Sequence, residues 1–192
     1  MRRRDAIAGL GSLGILGAGG VLAARGVPSF DDDEDQQEEH EPVDLETLEA
    51  TGSEAGEITV PQEGQVMVVD FFATWCDICE AQMPTFLEAR ERVDDDVQFV
   101  WVTSEAPSPS EADKESIVDE WEAKFVTWEE ADGREWTLAI DPRMDLSTRY
   151  DAHGRVPTTV AIDGEGEAHW RSVGEKSVGD LVGGVETALE AQ

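Results

Sequence analysis

Two cysteines, Cys76 and Cys79, stand three residues apart directly behind the apolar run Val66-Met67-Val68-Val69-Asp70-Phe71-Phe72, and the chain has no others. The run reads as a buried strand and the residues after the pair as a helix. The first thiol therefore falls at a helix start, where unpaired backbone N–H groups and the positive end of the helix dipole favour thiolate over thiol. The second sulfur is close enough in sequence to reach back to the first. Thiolate attack followed by intramolecular resolution is the chemistry of dithiol–disulfide exchange.

Other uses of the pair fit less well. A disulfide across so short a loop restrains little of the unfolded chain, so a purely structural bond contributes little. A zinc site needs a tetrahedral ligand set, and neither a second CxxC nor a His pair is present. Covalent haem attachment requires His directly after the second cysteine, where Glu80 stands. Redox exchange alone also uses the strand-to-helix setting.

Position within the strand singles out Asp70. A carboxyl among Val, Met and Phe loses its water on burial, which raises its pKa towards neutrality and equips it to trade protons with a thiol.

Composition narrows the setting. The formal net charge is -30, from 44 acidic against 14 basic residues, and lysine occurs only as Lys114, Lys124 and Lys176. Self-repulsion of that size is severe in dilute buffer and largely screened in molar salt, where the Debye length is about 3 Å. The balance reads as adaptation to high ionic strength, as in halophilic archaea. With no basic face, nucleic-acid binding is excluded.

The N-terminus differs from the rest. Met1-Arg2-Arg3-Arg4-Asp5 precedes an uncharged stretch from Ala6 to Ala24 dominated by Gly, Ala, Leu and Ile. Residues 1–25 read as a twin-arginine-like signal peptide or a membrane anchor, which places the protein outside the cytoplasm, anchored or secreted. Residues 26–56, with Asp31-Asp32-Asp33-Glu34-Asp35, read as a disordered acidic linker. Residues 57–192 suit one domain.

Within that domain the apolar period alternates between strand and helix. Strands are expected at Ile58–Val60, Val66–Phe72, Val97–Val102, Trp136–Ile140, Thr158–Ile162 and Ala168–Val173. The last two are joined by the turn Asp163-Gly164-Glu165-Gly166. Helices are expected after the cysteines, kinked at Pro84; after Ser110, which with Asp113 resembles a capping box; around Met144–Tyr150; and near the C-terminus. Gly183-Gly184 should weaken the last of these. Trp101, Trp121, Trp128, Trp136 and Trp170 are assigned to packing. The result is an α/β domain with a mixed central sheet flanked by helices.

The run Val68 to Cys79 with Pro84 resembles the active-site signature of the thioredoxin fold, and Val156-Pro157-Thr158 resembles its cis-proline loop. Extra helix and strand between the two motifs, behind an export signal, is similar to the TlpA/ResA-like membrane-anchored thiol-disulfide oxidoreductases. The resemblance implies Cys76 as the exposed attacking thiolate, Cys79 as the buried resolving thiol and Asp70 as its proton acceptor, where many TlpA-like proteins carry Asn. It also implies that Trp75, Val156, a cis Pro157 and Thr158 meet the substrate. The redox centre would be the cysteine pair itself, without metal or other cofactor. Partners would be protein thiols or disulfides, such as apocytochrome c or copper-centre assembly proteins, and the protein a monomer.

Asp77 and Glu80 disfavour thiolate, and a less stabilised thiolate makes a more reducing couple, so a reductant is expected. Two rival functions share the fold. A peroxiredoxin-like peroxidase expects Thr three residues before its cysteine, where Ala73 stands. A SCO-like copper-binding assembly factor expects CxxxC with a distant His, for which His153 and His169 are available; both read instead as helix-end and hairpin residues.

Overall fold

The computed structural model describes residues 41–125 and 136–192. Its strands are β1 (Val43–Thr47), β2 (Gly56–Val60), β3 (Met67–Phe72), β4 (Gln98–Thr103), β5 (Thr137–Ile140), β6 (Thr158–Ile162) and β7 (Ala168–Val173). They form one sheet in the order β2-β1-β5-β4-β3-β6-β7. β3 runs parallel to β4, and β4 to β5, while β6 is antiparallel to β3. The helices are α1 (Asp77–Ala81), α2 (Met83–Arg90), α3 (Glu111–Lys124), α4 (Asp145–Arg149) and α5 (Val178–Ala191).

Strand alternation sorts the core into two layers. Val68 and Phe72 of β3, with Phe99 and Trp101 of β4, join the helical residues Phe86, Trp121, Leu181 and Val185. Met67, Val69 and Phe71, with Val100 and Val102, pack on the other face with Leu146 and Tyr150. Every residue of β3 is buried, as expected for a central strand covered on both faces. Asp70 shares its parity with Val68 and Phe72, so it lies on the same face as Cys76, Cys79, α2 and α5.

The helix starts follow from local chemistry. Ser110 and Asp113 make a reciprocal capping box at α3, and Ser177 and Asp180 make another at α5. The helix behind the cysteines is interrupted rather than bent: α1 closes at Gln82, and Pro84 opens α2 within its first turn, where its missing N–H costs nothing. Trp101 meets Trp136 edge-on at 4.7 Å and Trp121 at 5.7 Å, so these indoles are core. Trp170 lies against Gly184. Trp128 lies outside the described residues.

The expected domain boundary is also corrected. The domain begins well before residue 57, because Val43–Thr47 pairs with both β2 and β5 inside the stretch read as linker. Its Leu45 and Thr47 point inward while Asp44 and Glu46 face out, so the acids cost no burial. Residues 26–40 of that linker and the whole segment 1–25 lie outside the described residues. No helix among the described residues is long and apolar enough to cross a membrane.

Candidate active site

β3 ends at Phe72, and the chain turns through Ala73-Thr74-Trp75 into Cys76. The Cys76 N–H donates to the Ala73 carbonyl at 3.0 Å, which closes the turn. Cys76 is the extended N-cap residue of α1, and its Sγ accepts the Cys79 N–H at 3.2 Å. The two sulfurs are joined in a disulfide, and there are no free cysteines.

Exposure divides the two sulfurs, though less sharply than expected. Cys76 retains 7% exposure and Cys79 3%, so Cys76, expected to be exposed, is a nearly buried residue. Trp75 is 69% exposed, and Ile78 and Val173 are each 49% exposed; these are the exposed large hydrophobics of the described residues. Trp75 directly precedes Cys76 and Ile78 directly precedes Cys79. Val173 pairs across the ladder with Thr158, the residue after the cis Val156–Pro157 bond.

That loop matches the sequence expectation in conformation. Val156–Pro157 is cis, and the Pro157 carbonyl accepts the Gly174 N–H at 2.8 Å. Thr158 is fully buried and its hydroxyl donates to the Arg155 carbonyl, so its side chain anchors the loop. A second cis bond, Val60–Pro61, carried no sequence signal.

On the face of the sheet that carries the cysteines lies a polar group set that sequence reasoning found only in part. Asp70 is 2% exposed, and burial pushes its carboxyl up to about 6, against the opposing pull of Lys176 and of a bond from Thr159. Thr159 is its direct cross-strand partner on β6, which is why its hydroxyl reaches the carboxylate. Lys176 enters from the β7–α5 loop with its Nζ 3.9 Å from Asp70 Oδ1. Its burial lowers its pKa, partly opposed by Asp70. Gln82, at the break between α1 and α2, holds this lysine twice: Lys176 Nζ donates to Gln82 Oε1 at 2.5 Å, and Gln82 Nε2 to the Lys176 carbonyl at 3.1 Å. Gln82 and Lys176 are almost a hundred residues apart, and no spacing rule links them.

The turn itself is held from the other side. Thr74 donates its N–H and its hydroxyl to the two oxygens of Glu105, each at 2.9 Å, and Thr103 adds a third bond to Glu105 at 3.0 Å. Lys124, at the end of α3, donates to the Thr74 carbonyl at 2.9 Å. Neither residue was legible as part of the site.

Of the histidines, His153 and His169 fall among the described residues. His169 lies at the end of β7 opposite Val173, where its Nε2 meets Asp163 Oδ2 at 2.6 Å. Asp163, Glu167 and His169 bring their ligand atoms within 4.8 Å of one another, but Asp163 is already engaged by the N–H groups of Glu165 and Glu167. His153 is an exposed residue in the turn after α4.

Residues 27–189 match the Redoxin family. Among solved structures, StoA from Bacillus subtilis aligns with a TM-score of 0.56 at 19% identity, over 74% of this chain and 95% of that one. The pneumococcal exposed lipoprotein thioredoxin Etrx1 from Streptococcus pneumoniae gives 0.53 at 21% identity, covering 74% and 98%. The thioredoxin domain of a thiol-disulfide oxidoreductase from Bacteroides vulgatus gives 0.50 at 17%, covering 76% and 91%. These likenesses establish a thioredoxin-like fold. No curated protein matches the chain in sequence.

Proposed function

The chain belongs to the Redoxin family, and from that premise we propose that it is an extracytoplasmic thiol-disulfide oxidoreductase that reduces protein disulfides through Cys76 and Cys79. The observation that carries this is the cystine at the β3–α1 junction, edged by exposed Trp75 and Ile78. In the reduced protein the Cys76 thiolate attacks a substrate disulfide, forming a mixed disulfide and releasing one substrate thiolate. Cys79 then gives its proton to Asp70 and attacks Cys76 Sγ. The mixed bond breaks, the second substrate thiolate leaves, and two electrons have passed from the pair to the substrate. The sulfurs are the whole redox centre, so no cofactor enters.

Asp70 suits the acceptor role because a carboxyl at about 6 is mostly ionised at neutral pH yet binds a proton more readily than an ordinary aspartate. Trp75 and Val156 would meet the substrate segment across the cis Pro157 loop. The reductive direction rests on Asp77 and Glu80, which bracket Cys79 and disfavour thiolate. Export rests on the basic and apolar start of the chain, and the likeness to an exposed lipoprotein thioredoxin accords with it.

Trapping tests the exchange. A Cys79→Ser variant cannot resolve, so it should hold substrate proteins on Cys76 as mixed disulfides that dithiothreitol releases; a variant that captures none while wild type reduces no protein disulfide would sink the proposal. Direction is tested separately. Equilibration of wild type with thiol buffers in molar salt should give a potential below about −200 mV, and a value near −120 mV would make the protein an oxidant.

A further inference from the structure

Every polar group of Thr74, two residues before Cys76, is gripped from outside its own turn. Glu105 takes the N–H and the hydroxyl, and Lys124 supplies a donor to the carbonyl. Both come from the chain between β4 and the end of α3, so this region reaches back onto the redox turn. Lys124 is also one of only three lysines in a chain of net charge -30. Of the others, Lys114 is paired with Glu46 and Glu111, and Lys176 is buried with Asp70.

The charges around the turn are otherwise negative. Asp77 lies between the cysteines and Glu80 directly after them; Glu105 sits under Thr74, and Glu120 pairs with Lys124 at 2.6 Å. Asp70 lies beneath, already faced by Lys176. Each uncompensated anion favours the neutral thiol at Cys76 and so slows its attack. Lys124 interacts through space with both Asp77 and Glu80, and these pairings, after its bond to Glu120, hold its own pKa up.

We propose that Lys124 is a positioning residue for the redox pair: it pins the Thr74 carbonyl and its charge offsets Asp77 and Glu80, which keeps Cys76 acidic enough to attack. This rests on the thiol-exchange reading above and deepens it. The acids make the couple reducing, while Lys124 prevents them from silencing the nucleophile. Glu105 completes the grip by fixing the other side of the same residue.

The test is the pH dependence of Cys76 alkylation by iodoacetamide in the reduced full-length chain, at low salt and in molar salt. Lys124→Gln should raise the pH of half-maximal reaction by about half a unit at low salt, seen as roughly threefold slower alkylation below that pH. Lys124→Met, which keeps the aliphatic stem, should do the same, and Lys124→Arg should restore the wild-type profile. Molar salt should shrink the difference, since the groups are partly exposed. A merely structural lysine would lower the melting temperature without moving the profile, and that result overturns the proposal. So does a Lys124→Arg profile equal to that of Lys124→Gln. Iodoacetamide needs no protein substrate, so the profile reads Lys124 whether or not wild type reduces protein disulfides. Failure of exchange and failure of this inference are therefore seen in different measurements.

Discussion

Asp70 shows how a single side chain can oppose stability and serve chemistry. Its carboxyl stands at about 6 in the fold against 3.8 for an ordinary aspartate, chiefly because burial removes its water. A group whose pKa is raised on folding binds its proton more tightly in the folded state. Its penalty on stability is therefore complete above pH 6 and fades as pH falls towards 4. Asp70→Asn should accordingly stabilise the protein at pH 8 by about 1–3 kcal/mol, a range that allows for a buried Lys176 left without its anion. The gain should disappear between pH 6 and 4 when urea unfolding is followed at each pH. The same variant should reduce protein disulfides at least roughly tenfold more slowly, because Cys79 loses its proton acceptor. A variant both more stable and slower assigns Asp70 to catalysis; one that is less stable at pH 8 contradicts the burial argument. The sequence displayed this residue plainly, as an acid in an apolar strand. It hid Thr159, Gln82 and Lys176, whose contacts with it or with each other span up to 94 positions and depend on strand register and a loop return.

At the scale of elements, the sequence was most legible where one short signal fixed one local structure. The β6–β7 hairpin, the Ser110-x-x-Asp113 cap and the strand before the cysteines all follow from patterns a few residues long, whereas the matching Ser177-x-x-Asp180 cap of α5 was missed. β1 was misread because its charged composition outweighed its period: Val43, Leu45 and Thr47 alternate with Asp44 and Glu46, and Glu46 ends on Lys114 at 2.6 Å. The glycine pair in α5 was read only in part. Both residues look like flaws in a helix, but they differ in what surrounds them. A Cβ on Gly184 would come within 2.3 Å of the Trp170 ring, while one on Gly183 would meet nothing within 4 Å. Gly184 is what allows α5 to lie close over β7. Gly184→Ala should therefore destabilise by about 1–3 kcal/mol despite its better helix propensity, and Gly183→Ala should stabilise by about 0.5–1 kcal/mol. Thermal unfolding of the two single variants reads the contrast directly, and equal effects would mean the indole moves aside freely.

For the whole molecule the governing quantity is charge. The apolar layers on the two faces of the sheet are ordinary, and among the described residues every acid except Asp70, Asp141 and Asp163 lies at least partly on the surface. Folding gathers those charges, so their repulsion weighs on the folded state more than on the expanded chain. Ion pairs such as Lys124 with Glu120 offset it only locally, and with so few cations most carboxylates have no basic partner to find. Counterions are the remaining remedy. A Debye length of about 10 Å at 0.1 M spans neighbouring surface charges, and one of about 3 Å at molar salt does not. Melting temperature should thus rise by roughly 10 °C or more between 0.1 M and 2 M KCl, with most of the gain below 1 M where screening changes fastest. Glycerol at matched osmolality should not reproduce that curve. A melting temperature flat across the series would show that the folded surface tolerates its charge unaided, and the composition would then need an explanation other than high ionic strength.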